Sequence, residues 1–445
     1  MENLTNSATE VLIDSLSFKL PASGNYVTDR RSVTYQTEGS NSYSSAQGTK
    51  VIRFRLAGDG WLDPSTFRMM FDVVNTDNAP ATKKLRPIGK PHAFFRRFRI
   101  SIRGQIIEDI DNYNRVSELF HLLQTPAARL NDAIEGFGYQ DKIENLNTAA
   151  KLPGIGQVGQ SVLFKPLSGL FQQTKYLPLR YMPIEIELEL ADTLEPIVVP
   201  TVAGTDGNDA GLTLANTSLS WKLENCMIKT DLCTLDNALE NSYVSHLLSG
   251  KTINLVYNTF ISSLQTIVSA DTQINVSRSL SKMKSLFVSL DKDFTDGRLT
   301  YYNKRFNNFW SPLAGTGITT TMTHDPAHDV QYLQLQIGSK LMPEYPLKST
   351  AECFYTLRKS LGLQSNNLHS IDIDGVSYRN NKFIIGFDTE KLLGLSFTGM
   401  NTRNNLMTIH LRTNSDPDWM ANRMHICLLS EQIIEVGDVG VSVYD

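Results

Sequence analysis

The chain has 445 residues, 41% hydrophobic and 20% charged, with a net charge of −4. That length suits two or three domains, and the apolar share is enough for a sizeable core. The charge balance lacks the basic excess of a dedicated nucleic-acid binder.

The N-terminal stretch "MENLTNSATEVLIDSLSFKL" has no basic region followed by a long apolar run, so it does not read as a secretory signal. No window reaches the roughly eighteen apolar residues that a membrane-spanning helix needs. Residues 1–48 are rich in Ser, Thr, Asn and Gly and read as an arm that orders only against something else. From Val51 short alternating runs begin: "VIRFRLAGDG", "FRMMFDVVN", "FRISIRGQIIEDI", "MPIEIELELAD" and "WKLENCMIKT". Each is closed by Gly, Pro, Asn or Asp, and period-two alternation between turn residues predicts half-buried strands. Residues 201–218 form a polar, Gly-rich insertion expected at the surface, and 234–252 read as a connector that can bear a short helix. The strand texture then resumes with "TINLVYNTF", "SLFVSLDKD", "YLQLQIGSKL", "IDIDGVSYR", "KFIIGFD", "MTIHLRT" and "HICLLSEQIIEV". Many short strands with few helices predict an all-β protein of sandwiches or barrels.

The two textures repeat one another. Phe98 to Gly104 and Tyr332 to Gly338 are both alternating strands ending in Gly, and each is followed by a helical pattern. In the first, Val116, Leu119, Phe120 and Leu123 form an amphipathic stripe. In the second, Ser349 and Glu352 form a capping box before Phe354, Leu357 and Leu361. Downstream, "FKPLSGL" at 164–170 resembles "FDTEKLLGL" at 387–395, and "IEIELEL" is matched by "MTIHLRT". Four correspondences in one order at nearly constant offset indicate two copies of one domain.

Candidate chemical sites read as structural. Gly338-Ser339-Lys340 lacks the G-x-x-x-x-G-K-[ST] order of a phosphate loop and is expected to be a turn. His324 and His328, with Asp325 and Asp329, have a metal-like spacing broken by Pro326. Asp372, Asp374 and Gly375 begin like a calcium loop without its later ligands, and Asp-Gly there predicts a hairpin. Arg97, Arg99 and Arg103 share one strand face opposite Phe98, Ile100 and Ile102. That face can meet phosphates, but a solvated or inter-subunit surface is the expectation. Asp291 and Asp293 share a strand face, with no partner acid placed to make a glycosidase pair. Sequons at Asn3, Asn216 and Asn275 matter only in a secreted chain. Cys226, Cys233, Cys353 and Cys427 are too sparse for a disulfide framework and read as reduced, mostly buried thiols. No catalytic, cofactor-binding or metal residue is assigned.

Taken over residues 50–445, the sequence resembles the double jelly-roll major capsid proteins of icosahedral DNA viruses: those of virophages, polinton-like viruses and large DNA viruses, with adenovirus hexon as a distant relative. The resemblance is carried by "FRRFRISIRGQIIEDIDNYN", "YLPLRYMPIEIELELAD", "QIGSKLMPEYPLKSTAECFYTLRKSLG" and "FIIGFDTEKLLGLSFTGMNTRNNLMTIHLR". It implies two tandem eight-stranded jelly-roll β-sandwiches with a few short helices in connecting loops. The expected division is an arm at 1–48, a first jelly roll at 49–240 and a second at 241–445. It implies a homotrimer with a pseudo-hexagonal outline, located in the virion. Its partners would be neighbouring capsomers, penton and minor capsid proteins, and an inner membrane or the genome. No enzyme activity, cofactor or small-molecule substrate is implied. The residues alone leave a second reading open, a duplicated β-sandwich that binds or hydrolyses glycans. Such a lectin needs exposed aromatic platforms, and Trp61, Trp221, Trp310 and Trp419 are scattered.

Overall fold

The computed structural model describes residues 26–46, 49–137, 154–197, 199, 215–292, 309–312, 332–363, 371, 373–380, 382–392, 397–413, 415, 420–438 and 440–444. Among them are twenty strands in two sandwiches, and the sixteen that recur in both halves are named here. The first contains β1 (Val27–Gln36), β2 (Val51–Leu56), β3 (Arg68–Asn75), β4 (Phe95–Ile102), β5 (Gln105–Asp111), β6 (Gln160–Phe164), β7 (Ile184–Leu190) and β8 (Trp221–Leu235). The second contains β9 (Ile253–Thr266), β10 (Asp271–Val276), β11 (Met283–Asp291), β12 (Tyr332–Ile337), β13 (Lys340–Leu347), β14 (Ile384–Asp388), β15 (Met407–Arg412) and β16 (Arg423–Val436).

In the first half one sheet runs β1-β8-β3-β6 and the other β2-β7-β4-β5. The second half runs β9-β16-β11-β14 and β10-β15-β12-β13. Adding eight to each strand number converts one half into the other, pair for pair. All these pairings are antiparallel, and the order is that of interlocked Greek keys.

Side-chain alternation decides which face packs. Along β2, Ile52, Phe54 and Leu56 are buried while Val51, Arg53 and Arg55 are exposed. In register beside them, Leu188, Ile186 and Ile184 of β7 pair onward with Phe98, Ile100 and Ile102 of β4. These rows form one wall of the first core, and Met69, Phe71 and Val73 of β3 supply buried residues from the other sheet. The period-two pattern therefore fixes register, because a one-residue slip would turn every row to solvent.

The turn after β4 has Arg103 at φ 49° and Gly104 at φ 81°, positive at both central positions as a type I′ hairpin requires. In the turn after β12 only Gly338 is positive, at φ 60°, the type II′ pattern. Ile102 pairs with Gln105 and Ile337 with Lys340, so these are two-residue hairpins. The repeat is real, but Gly338 aligns with Arg103 rather than with Gly104, one position from the match that the glycines suggest.

Among the described residues six α-helices join the strands: α1 (Tyr113–Leu122), α2 (Pro126–Asp132), α3 (Gly169–Gln172), α4 (Asn237–Leu248), α5 (Thr350–Ser360) and α6 (Gly375–Asn380). The capping box of α5 is present, with Ser349 and Glu352 satisfying each other's backbone N–H. The connector carries α4, with Asp236 accepting from the Ala238 N–H.

Two expectations are corrected. Residues 27–36, assigned to the arm, form β1 and pair along β8, and Tyr43 is buried in the first core. The polar sequence hides this strand because most of its residues are exposed at a sheet edge. Asp374-Gly375 does not turn a hairpin. Asp374 instead accepts from the N–H groups of Val376 and Ser377 and from the Ser377 hydroxyl, capping α6. Asp is as good a helix cap as a turn former, and the cap prevails here.

Candidate functional site

The two halves meet along a seam where β5 faces β9. Both are edge strands, and edges carry backbone groups without ladder partners. Side chains of β9 meet them: Tyr257 Oη donates to the Ile107 carbonyl at 2.8 Å, and Ser262 Oγ donates to the Asp111 carbonyl. Between these contacts lies Glu108, which is 1% exposed. Its carboxylate accepts from Ser168 Oγ at 2.6 Å and Gly169 N–H at 2.9 Å, and from the backbone of Phe260 across the seam. Gly169 must be glycine, since a Cβ would lie 1.4 Å from the Asn258 carbonyl oxygen. Phe120 of α1 packs edge-on against Phe260 and Phe287, with ring centroids 5.0 and 5.2 Å apart. One continuous cluster of buried apolar residues runs through both halves.

Charged groups are buried at the same junction. Arg115 of α1 reaches across to donate to the Leu290 carbonyl at 2.8 Å and lies 4.6 Å from the Phe309 ring centre. Asp291 pairs with Arg423 at 2.7 Å and has His425 and Arg115 at 3.7 and 4.0 Å. Burial alone would raise the Asp291 carboxyl, but Arg115, His425 and Arg423 outweigh it and hold it at about 2. Burial, with Arg115 beside it, pushes His425 down to about 4. Burial pushes Glu108 up to about 7, against the donors that favour its ionised form. Asp291 is thus an ion-pair anchor, and Asp293 lies outside the described residues.

A second buried network lies in the first half. His92 Nε2 is 3.2 Å from Glu118, and Arg129 Nε donates to His121 Nε2 at 3.2 Å. His121 Nδ1 faces Gln124 Oε1 at 3.2 Å. Burial opposes ionisation of Glu118, but His92, His121 and Arg129 hold its carboxyl at about 2. No group of three or more metal-ligating side chains occurs among the described residues.

No protein-family model and no curated protein matches the sequence. Solved structures do match it. The PBCV-1 VP54 structure fitted into a reconstruction of the virophage Sputnik aligns with a TM-score of 0.60 at 12% identity, over 96% of this chain and 99% of that one. A chain of the Sputnik virophage structure gives 0.60 at 8% identity, over 100% and 93%. The Faustovirus major capsid protein gives 0.58 at 9% identity, over 96% and 93%. The chain is a double jelly roll. The match spans nearly the whole chain, so it concerns both halves rather than a single sandwich.

The outer face of the sheet β2-β7-β4-β5 in this double jelly roll carries the arginines singled out in the sequence. Phe98, Ile100 and Ile102 point to the core, as expected. Arg97 and Arg99 do not form a free basic patch. Arg97 makes a bidentate pair with Asp109, and Arg99 lies between Asp109 and Glu187, which also pairs with Arg53. Arg53, Glu187, Arg99 and Asp109 are in register across all four strands, an alternating row of charge. Such a row neutralises itself and offers little to phosphates.

Trp61, Trp221 and Trp310 are buried, so these three provide no aromatic platform for a sugar, and Trp419 lies outside the described residues. The same holds for His324, His328, Asp325, Asp329, Asp372 and Asn3, and for Gly394 and Leu395 of the repeat. All four cysteines are free and buried, and burial pushes Cys226 and Cys427 up to about 12. No helix among the described residues is long and apolar enough to cross a membrane.

The seam residues escaped the sequence reading. Glu108 breaks the alternation of β5, which is a visible signal, but its donors come from α3 and β9, far away in sequence.

Proposed function

We propose that this protein is a major capsid protein, the principal building block of an icosahedral shell around a DNA genome. The supporting observation is a pair of complete jelly rolls in one chain, matched over nearly its full length to solved capsid structures. The work is then mechanical, done by surfaces rather than by a catalytic pocket, and the protein is not an enzyme. Three chains stand six jelly rolls upright in a pseudo-hexagonal capsomer that tiles a facet. Contacts between capsomers are individually weaker and many times repeated. Neighbouring capsomers, penton and minor proteins are the partners in the virion, and the inner side faces the genome or a membrane.

The test is the native mass of the purified chain by light scattering, followed by electron microscopy. A stable species near three times 49.8 kDa that goes on to form shells is the expected outcome. A monomer at every concentration, with no shells, overturns the reading.

A further inference from the structure

A cleft of about 300 Å³ opens on the first jelly roll, among α1, α2 and the neighbouring ends of β3 and β6. That volume is at the lower end of the range for small-molecule sites, about 300–1,000 Å³. Phe120, Phe164 and Leu167 give it an apolar wall, and His92 and His121 line it beside them. Its charged residues are Arg68, Lys90, Lys165, Asp132 and Glu135, more cations than anions in a chain whose net charge is −4. Lys90 and Asp132 pair at 2.9 Å and neutralise each other, so Glu135 remains against Arg68 and Lys165.

Arg68 and Lys165 occupy the next positions beyond the pair Met69 and Phe164 on neighbouring strands. Like charges at facing positions of a sheet repel. Burial and the Arg68 charge both push the Lys165 ammonium down, and the acid that opposes them, Asp63, is paired with Arg30 at 2.9 Å. Arg68 is fixed by one nitrogen: its Nη1 donates to the Ser65 and Phe67 carbonyls at 3.1 and 2.9 Å. Its Nε and Nη2 make no hydrogen bond among the described residues. Those two nitrogens are the fork that takes two oxygens of one phosphate.

We propose that this cleft binds a small phosphate ester, with the phosphate between the Arg68 fork and the Lys165 ammonium and the apolar body on Phe120 and Phe164. The phosphate offsets the repulsion between the two cations. At pH 7 it carries about two negative charges, which matches them better than a carboxylate does. Phe120 also packs on Phe260 and Phe287 of the second half, so a bound ester steadies both halves together. None of this depends on how the chain assembles.

The test titrates the full chain with phenyl phosphate by calorimetry and follows its melting temperature. One saturable site per chain is expected, with a melting temperature that rises with ligand concentration. Arg68→Gln and Lys165→Gln should each weaken binding about tenfold or more in chains that circular dichroism shows to be folded. Lys359→Gln, on α5 in the second half, should leave it unchanged. Inorganic phosphate, which cannot cover the apolar wall, should bind more weakly. Absence of saturable binding, or wild-type affinity in both cleft variants, overturns the site. Equal affinity for inorganic phosphate overturns the ester, and preference for benzylamine overturns the charge assignment. The capsid reading is decided separately, by native mass and shells.

Discussion

Glu108 and Asp291 sit in the same junction, and their response to pH has opposite sign. Glu108 is raised by burial from 4.5 to about 7, so the folded state holds its proton more tightly than the unfolded chain. Its contribution is complete below pH 4.5 and is lost as pH rises to about 7, a loss on the order of 3 kcal/mol. Glu108→Gln should remove that slope, so the stability difference between variant and wild type should change across this window in denaturant titrations. A flat difference would show that Glu108 is ionised throughout. Asp291 is held down at about 2, so its contribution is present above pH 3.8 and fades as pH falls toward 2. Asp291→Ala leaves Arg115 buried without its anion and should cost about 3–5 kcal/mol at pH 7. At β4, Phe98→Asp should prevent folding, since the ring is fully buried against Tyr113. Arg99→Asp should leave a folded chain, with circular dichroism separating the two outcomes.

At the level of elements, the sequence was most readable where one face of a strand is buried and the other wet. β2, β4 and β7 announce themselves by alternation because solvent lies on one side. β1 did not, because an edge strand exposed on nearly every residue has no contrast to display. The helix at Gly375–Asn380 shows a different failure, in which Asp-Gly satisfies two local rules and a cap decided between them. The seam was illegible for a third reason. Tyr257, Ser262 and Arg115 are ordinary residues whose meaning lies in carbonyls of the opposite half. The α5 cap is the cleanest element-scale test: Ser349→Ala should cost about 1 kcal/mol and leave the fold intact, read as a shift in denaturation midpoint.

At the level of the molecule, one apolar cluster through both halves predicts that they unfold together. Gly169→Val drives a side chain into the Asn258 carbonyl and should force the halves apart. Calorimetry should then resolve two transitions where wild type shows one. A single transition in the variant would mean that the seam yields without separating.

The connector between β8 and β9 runs through one helix, α4, so the two jelly rolls can never drift apart. The seam therefore forms at a local concentration set by the tether, at any dilution of the protein. Contacts between separate chains have no such protection. Any contact between separate chains depends on how much of the protein is present, whereas the packing of the two halves does not.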